Sequence, residues 1–129
     1  MTFQLEDRQG SLAKVCQALG DRGVNIVAFQ SVISERKGRV RCAVDNPTAA
    51  QKVLKNEGLG YSETAVAQAK LRHRPGELAR AAARLGEANI NVRHAYCGVG
   101  ASANTPGMIF GAKEVQQAAA ILNRTAAAA

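Results

Sequence analysis

The chain has 129 residues, of which 47% are apolar and 21% charged, and its net charge is +7. That length suits one ordinary domain or two small ones, and the apolar share is high enough for a buried core, which argues against disorder. No apolar run reaches the roughly 18 residues of a membrane span, and the segment MTFQLED lacks the pattern of a signal peptide.

The first half of the chain alternates between strand and helix patterns. Residues 2–6 are predicted as a strand and residues 11–21 as a helix, after which Gly23 suits the left-handed residue that closes a helix. The predicted buried stripe of this helix consists of Leu12, Val15, Cys16 and Leu19. Residues 25–34 then read as a strand, with Val27, Phe29 and Ile33 on one face.

A second strand and a second helix follow. Val40, Cys42 and Val44 alternate with Arg39, Arg41 and Ala43. The stretch NPTAAQKVLKNEG has Pro47 near its start and Gly58 at its end, which predicts a helix between them. Its inward residues are expected to be Ala50, Val53 and Leu54.

The sequence contains an internal repeat of this pattern. Residues 7–30 align without a gap on residues 73–96. The identical pairs are Arg8/Arg74, Gly10/Gly76, Leu12/Leu78, Ala13/Ala79, Leu19/Leu85, Gly20/Gly86 and Asn25/Asn91. Such a long period indicates two copies of a small domain and not a solenoid repeat.

The second copy has equivalent elements. They are a strand at 66–72, a helix with Leu78, Ala81, Ala82 and Leu85 buried, Asn89 as its closing residue, a strand at 90–96, and a final helix in GAKEVQQAAAILN. The stretch at 98–107, GVGASANTPG, reads as a flexible loop between strands.

The predicted fold is therefore α+β, with two ferredoxin-like βαββαβ units at 1–64 and 65–129. The second unit lacks an evident last strand, because the chain ends in NRTAAAA after its final helix. We expect one long extended segment at 61–72 to serve both units, or a partner chain to complete the sheet.

The turns DRQGSL at 7–12 and HRPGEL at 73–78, each followed by a strand-opening Asn, resemble the ACT domain, a small regulatory module of amino-acid metabolism. The resemblance spans nearly the whole chain, twice, as in tandem ACT proteins. It implies that paired units bind an amino acid at their interface, through the loop after the first strand and the Asn that opens the second. The ligand-binding residues it implies are Asp7, Arg8, Gln9, Gly10, Ser11, Leu12 and Asn25, and His73, Arg74, Pro75, Gly76, Glu77, Leu78 and Asn91.

The chemistry of these residues suits that role. Free amides at a helix N-terminus hold an anion, Gly10 and Gly76 allow close approach, and an Asn side chain can both donate and accept. An ordinary structural role is equally open: the glycines could only shape a turn, and the Asn residues could only satisfy loop backbone. Where a serine-binding member of the family has HENRPG, this chain has LEDRQG and LRHRPG, so serine specificity does not transfer.

The sequence contains few signals of catalysis, metal binding or disulfide formation. The sequence has no P-loop, GxSxG or HExxH motif and no visible nucleophile–base pair, so we expect no catalysis and no cofactor. His94 and Cys97 lie three apart on a strand, which favours opposite faces and no metal site. The odd number of cysteines, without a CxxC, fits reduced thiols in a cytoplasm, with Cys16 and Cys42 expected in the core.

The function predicted is a non-catalytic amino-acid sensor that forms a homodimer, with an enzyme of amino-acid metabolism as a possible partner. A pure assembly module is the alternative. A third reading is RNA binding, because KGRVRCAV echoes a basic RNA-contacting strand, but it has arginines where such strands have aromatic rings. We therefore do not expect a nucleic-acid or membrane partner.

Overall fold

The structure, a computed structural model, describes residues 1–6, 8–102 and 105–128. The chain divides into two compact units, Met1–Thr64 and Ala65–Ala129. Asp7 lies outside the described residues.

The first unit follows the predicted βαββαβ order. Its elements are β1 (Thr2–Glu6), α1 (Ser11–Asp21), β2 (Ile26–Ser34), β3 (Lys37–Val44), α2 (Pro47–Asn56) and β4 (Tyr61–Ser62). The strands form an antiparallel sheet in the order β4-β1-β3-β2. The prediction of a ferredoxin-like fold is confirmed for this unit.

Strand alternation places the core of the first unit on one face of the sheet. Phe3 of β1 pairs with Val40 of β3, and both are almost fully buried, whereas Arg39 between the buried positions of β3 is exposed. Burying every second residue is what a one-sided antiparallel sheet requires. The fully packed residues of this core are Phe3, Leu5, Val15, Leu19, Val24, Val40, Cys42, Ala50, Val53 and Leu54.

The predicted helix boundaries rest on local signals that the structure confirms. The Asn46 side chain accepts a hydrogen bond from the Ala49 backbone N–H at 3.1 Å and caps α2, with Pro47 in the first turn. Gly23 and Asn89, both predicted to close a helix, have φ angles of 69° and 59°. These are left-handed conformations that glycine and asparagine tolerate best.

The second unit has the order β-α-β-β-α. Its elements are β5 (Ala67–Lys70), α3 (Glu77–Glu87), β6 (His94–Ser102), β7 (Thr105–Gly111) and α4 (Val115–Ala128). The strands are antiparallel in the order β6-β7-β5. No strand follows α4 in the part of the chain described. Its core consists of Ala67, Ala69, Leu71, Ala81, Leu85, Ile90, Phe110, Ala112, Ala118, Ile121 and Leu122.

The predicted buried stripes of α1 and α3 are partly wrong. Leu12 and Leu78 are 38% and 50% exposed, and Ala82 is exposed as well. Each helix buries a narrower row of residues four apart, Val15 and Leu19 in α1, because only one side of the helix packs on its sheet. In α3 this row is Glu77, Ala81 and Leu85, so one of its buried positions is a carboxylate.

Other corrections concern the strands. Phe29 and Ile33 share a face of β2 that is largely exposed, while Ala28 is buried. Within the stretch predicted as a loop at 98–107, residues 98–102 belong to β6 and residues 105–107 to β7, and Ser102 pairs with Thr105. The strand predicted at 90–96 begins only at residue 94.

The segment expected to be continuous at 61–72 is two short strands. β4 pairs with β1 in the first unit, and β5 pairs with β7 in the second. Residues 63–66 between them belong to neither strand, so each unit pairs its own part of the segment.

Candidate functional site

Each unit has a tight turn that joins its first strand to its first helix. We call residues 8–11 the first corner and residues 74–77 the second corner. The Arg8 N–H donates to the Glu6 carbonyl at 2.8 Å, and the equivalent Arg74 N–H donates to the Arg72 carbonyl at 3.0 Å. The two corners therefore fold in the same way.

The match of the two corners continues into the helices. The Lys14 N–H donates to the Gly10 carbonyl at 3.0 Å, and the Arg80 N–H donates to the Gly76 carbonyl at 2.9 Å. Equivalent hydrogen bonds in equivalent places mean that the repeat is one of local structure as well as of sequence. Differences between the corners can thus be assigned to their side chains.

The glycine of each corner is required by the backbone. Gly10 and Gly76 precede their helices with φ angles of 84° and 88°. A Cβ placed on either glycine would meet no atom within 4 Å, so the requirement comes from the left-handed conformation and not from crowding. The structural role of these glycines, left open by the sequence, is therefore sufficient to explain them, and the space beside them is free for a ligand.

The first corner opens into a cavity of about 450 Å³. It is lined by Leu5, Glu6, Arg8, Gln9, Gly10, Ser11, Lys14, Val15, Glu57, Gly58 and Leu59. The lining combines two cationic groups, two carboxylates and an apolar wall. Because a zwitterion needs opposite charges close together, this combination is suited to one.

The ion pairs of the first corner are long and largely exposed to solvent. The Arg8 guanidinium lies 3.4 Å from the Glu6 carboxylate, and the Lys14 ammonium lies 3.7 Å from that of Glu57. The Arg8 and Lys14 side chains are 75% and 77% exposed. Exposed ion pairs of this kind contribute about 0–1 kcal/mol, so a ligand can replace them at little cost.

The N-terminus of α1 adds a second source of positive potential. Within the described residues, no side chain caps this helix, and its first turn contains no acidic residue. The first amides of a helix have no partners inside the helix and lie at the positive end of its dipole. A carboxylate at the first corner would be stabilised by both the amides and the two cations.

The second corner has its own cavity, of about 520 Å³. It is lined by Leu71, Arg72, His73, Arg74, Gly76, Glu77, Leu78, Ala79, Cys97, Pro106 and Met108. Its walls are more apolar than those of the first cavity. Cys97, an exposed free cysteine, is one of the lining residues.

Glu77 distinguishes the second corner from the first. Its carboxylate Oε1 accepts a hydrogen bond from Arg74 Nε at 2.7 Å and lies 3.4 Å from the Arg80 guanidinium. The residue is only 2% exposed, and its Oε2 is buried without a hydrogen-bond partner among the described residues. The hydrogen bond from Arg74, with the positive charges of the nearby arginines, holds the pKa of Glu77 below its ordinary value although burial raises it.

Among the described residues, neither asparagine predicted to bind ligand lines the cavity of its own corner. The Asn25 backbone N–H and side-chain amide donate to the two carboxylate oxygens of Asp45, each at 2.9 Å. The Asp45 N–H in turn donates to the Asn25 carbonyl at 3.1 Å. This arrangement joins the start of β2 to the end of β3, which is the structural role that the sequence left open. Asn91 is exposed and lies before β6.

The corners bring most of the other predicted site residues together. Arg8, Gln9, Gly10 and Ser11 line the first cavity, and His73, Arg74, Gly76, Glu77 and Leu78 line the second. Leu12 and Pro75 do not line the cavity of their own corner in the described structure. Asp7, expected to take the ligand ammonium, is outside the described residues.

Three charged residues of the first cavity were missed from the sequence: Glu6, Lys14 and Glu57. Lys14 follows Gly10 by one helical turn. It aligns with Arg80 in the second copy, and this repeated cation was a sequence signal that could have identified it. Glu57 comes from the end of α2, and no local pattern connects it with the corner. It is brought there by the packing of α1 and α2 on one face of the sheet.

The basic strand that suggested RNA binding offers little for base stacking. Arg39 and Arg41 line an open cavity of about 660 Å³ beside β1 and β4. Its aromatic residues are Phe3, which is buried in the core, and Tyr61, which is half-buried. Single-stranded RNA is recognised chiefly by rings on which bases stack, so this surface does not favour that function.

No cluster of three or more His, Cys, Asp or Glu side chains capable of holding a metal occurs among residues 1–6, 8–102 and 105–128. In the same part of the chain, no helix is long and apolar enough to cross a membrane.

The Cys42 thiol is buried as expected, while Cys16 is half-buried, and burial raises the pKa of both.

Comparison with protein families gives one match. The model of the ACT domain matches residues 2–56. No curated protein matches the sequence significantly.

Comparison with solved structures shows the fold. Protein BT0572 from Bacteroides thetaiotaomicron is 22% identical with a TM-score of 0.83, over 94% of this chain and 83% of that chain. The ligand-free regulatory subunit of aspartate kinase from Thermus thermophilus is 17% identical with a TM-score of 0.65, over 96% and 91%. A structure of aspartokinase alpha and beta subunits is 16% identical with a TM-score of 0.55, over 96% and 90%.

Proposed function

We propose that the chain is a non-catalytic regulatory protein that binds a small amino acid in the cavity of the first corner. The observation that supports this most directly is the lining of that cavity, in which Arg8 and Lys14 stand beside Glu6 and Glu57. The match of the ACT domain model to residues 2–56 supports the regulatory class. The second unit is proposed as a further ACT-like unit, because its corner repeats the same turn and hydrogen bonds.

The ligand carboxylate is proposed to lie at the N-terminus of α1. There the free amides, the Ser11 hydroxyl, and the Arg8 and Lys14 side chains supply donors on one side of the cavity. Gly10 leaves the approach to these donors open, since nothing lies within 4 Å of where its Cβ would be.

The ligand ammonium is proposed to pair with Glu57. This carboxylate is the less exposed of the two, at 25% against 76% for Glu6, so its pairing with a cation is less screened by water. Asp7 stays a prediction for the same role. The ligand side chain would contact Leu5, Val15 and Leu59, which favours a short or aliphatic one.

The test is a thermal-shift screen of the purified chain against the twenty amino acids, followed by calorimetry. A ligand at about 100 times its Kd adds about 2.7 kcal/mol of stability. For each hit, the corresponding amino-acid amide and the acid without its amine serve as controls, and both should bind more weakly because each lacks one of the two charges.

Variants connect binding with the first corner. Lys14→Ala and Glu57→Gln should each weaken binding about tenfold or more, because each removes a hydrogen bond to a charged group worth about 1.5–3 kcal/mol. Lys52→Ala, an exposed lysine of α2 that does not line the cavity, is the matched control. Binding that survives both corner variants would place the ligand elsewhere.

An enzyme of amino-acid metabolism is the proposed partner, and a homodimer the proposed assembly. The similarity to a regulatory subunit of aspartate kinase supports the idea of a separate regulatory chain. If no amino acid produces a shift while the chain still dimerises at low concentration, the assembly-module alternative is correct. Turnover of an amino acid by the purified chain would contradict the non-catalytic assignment.

A further inference from the structure

The first turn of the helix differs between the two corners at one decisive position. Ser11 in the first corner is replaced by Glu77 in the second, while the flanking cations are retained as Arg8 and Arg74, and Lys14 and Arg80. The first corner therefore has two cations beside a helix N-terminus without an acidic residue. The second corner also has two cations beside a helix N-terminus, but the Glu77 carboxylate lies between them.

The geometry around Glu77 is that of a bound anion. Both arginines contact the same oxygen, at 2.7 and 3.4 Å, and the carboxylate lies in the first turn, at the positive end of α3. The Arg74 and Arg80 side chains are each 47% exposed, less than the 75% and 77% of Arg8 and Lys14. The two cations of the second corner are thus engaged with the chain's own carboxylate.

We propose that Glu77 occupies the place in the second corner that the ligand carboxylate takes in the first, so that each chain binds one amino acid, at the first corner. This inference rests on the proposed function for the site of the first corner. Glu77 is a specificity-determining residue: it excludes an anion by charge repulsion and by occupying the donors that an anion would need. The cavity of the second corner remains open to uncharged, apolar groups beside Leu78 and Met108.

The test exchanges the residue between the corners and uses glycine as the probe, because glycine carries both charges and no side chain. Variants Glu77→Ser, Ser11→Glu and the double exchange are compared with the wild type. Calorimetry measures the number of glycines bound per chain. The rate at which iodoacetamide alkylates Cys97, followed by peptide mass spectrometry, measures occupancy of the second corner alone.

The wild type should bind one glycine without protection of Cys97. Glu77→Ser should bind two, with Cys97 alkylated more slowly in the presence of glycine, and Ser11→Glu should bind none. The double exchange should bind one glycine that protects Cys97. Glu77→Gln keeps the bulk without the charge, so it should admit glycine less well than Glu77→Ser, while Glu87→Ser on the same helix should behave as the wild type.

Two results would overturn the proposal: protection of Cys97 by glycine in the wild type, or no gain of protection in a folded Glu77→Ser chain. Circular dichroism establishes that each variant is folded, and if Glu77→Ser is not, the comparison of Ser11→Glu with the wild type at the first corner decides. Failure of the wild type to bind glycine at the first corner would count against the proposed function. The response of Cys97 in Glu77→Ser would still test the role of Glu77 independently.

Discussion

Asn25 and Asp45 hold the start of β2 against the end of β3 through two hydrogen bonds of 2.9 Å from Asn25 to the Asp45 carboxylate. The resemblance to the ACT domain implied a ligand contact for Asn25, whereas the structure gives its side chain a partner within the fold. We predict that Asn25→Ala lowers the Tm and leaves amino-acid affinity at the first corner unchanged. Differential scanning calorimetry and titration of the same samples measure both quantities.

Asn91→Ala is the matched control for this variant, because Asn91 is the equivalent residue of the repeat and has, among the described residues, no carboxylate partner such as Asp45. It should change the Tm less than Asn25→Ala does. A large loss of affinity in Asn25→Ala, at unchanged Tm, would restore the ligand-binding role.

The fold was largely predictable because its signals are local. A left-handed Gly or Asn after a helix, a proline in a first turn and strict alternation in β3 each act within a few residues, and α1 has the bounds predicted for it. The strand residues at 98–102 and 105–107 were missed because their glycines and small residues favour a loop, and only pairing between β6 and β7 makes them strand. The turn of the first corner was predictable because it depends on neighbouring residues. The presence of Glu57 in the cavity was not, because only tertiary packing brings the end of α2 there.

The second prediction concerns acid stability. The pKa of Glu77 is lowered in the folded chain, chiefly by the hydrogen bond from Arg74, and that of Asp45 is lowered chiefly by the hydrogen bond from Asn25. A carboxylate with a depressed folded-state pKa stabilises the fold fully above its unfolded pKa, about 4.3 for Glu and 3.9 for Asp. That stabilisation is lost as the pH falls through the lower folded-state values.

Glu77→Gln and Asp45→Asn should therefore be less stable than the wild type at about pH 7, and each difference should shrink below about pH 4. Urea unfolding followed by circular dichroism across this range measures the change. A difference that stays constant with pH would mean that the lost stability comes from packing and not from the charge.

The third prediction concerns the corner glycines. Gly10→Ala and Gly76→Ala should each lower the free energy of unfolding by about 1–2 kcal/mol, because an L-residue in the left-handed region incurs that cost. The two losses should be similar, since the φ angles are 84° and 88° and a Cβ meets no atom within 4 Å at either site. Urea denaturation measures the losses.

Gly20 offers a control of opposite sign. It lies within α1, and a Cβ there also meets nothing within 4 Å. Gly20→Ala should stabilise the chain by about 0.5–1 kcal/mol through its better helix propensity. If Gly10→Ala were equally harmless, the left-handed turn would not be a fixed feature of the first corner.

The last prediction separates two leucines that the sequence pattern treated alike. Leu85 is fully buried and Leu78 is 50% exposed, although both were expected in the buried stripe of α3. Leu85→Ala should lower the free energy of unfolding by about 2–5 kcal/mol, through lost burial and the cavity left behind. Leu78→Ala should change it by no more than about 0.5 kcal/mol, because the side chain is surface-exposed. Chemical denaturation of both variants decides the matter. A loss at Leu78 as large as that at Leu85 would mean that the solvent-facing side of α3 is covered in solution, and the wide buried face predicted from the sequence would then be correct.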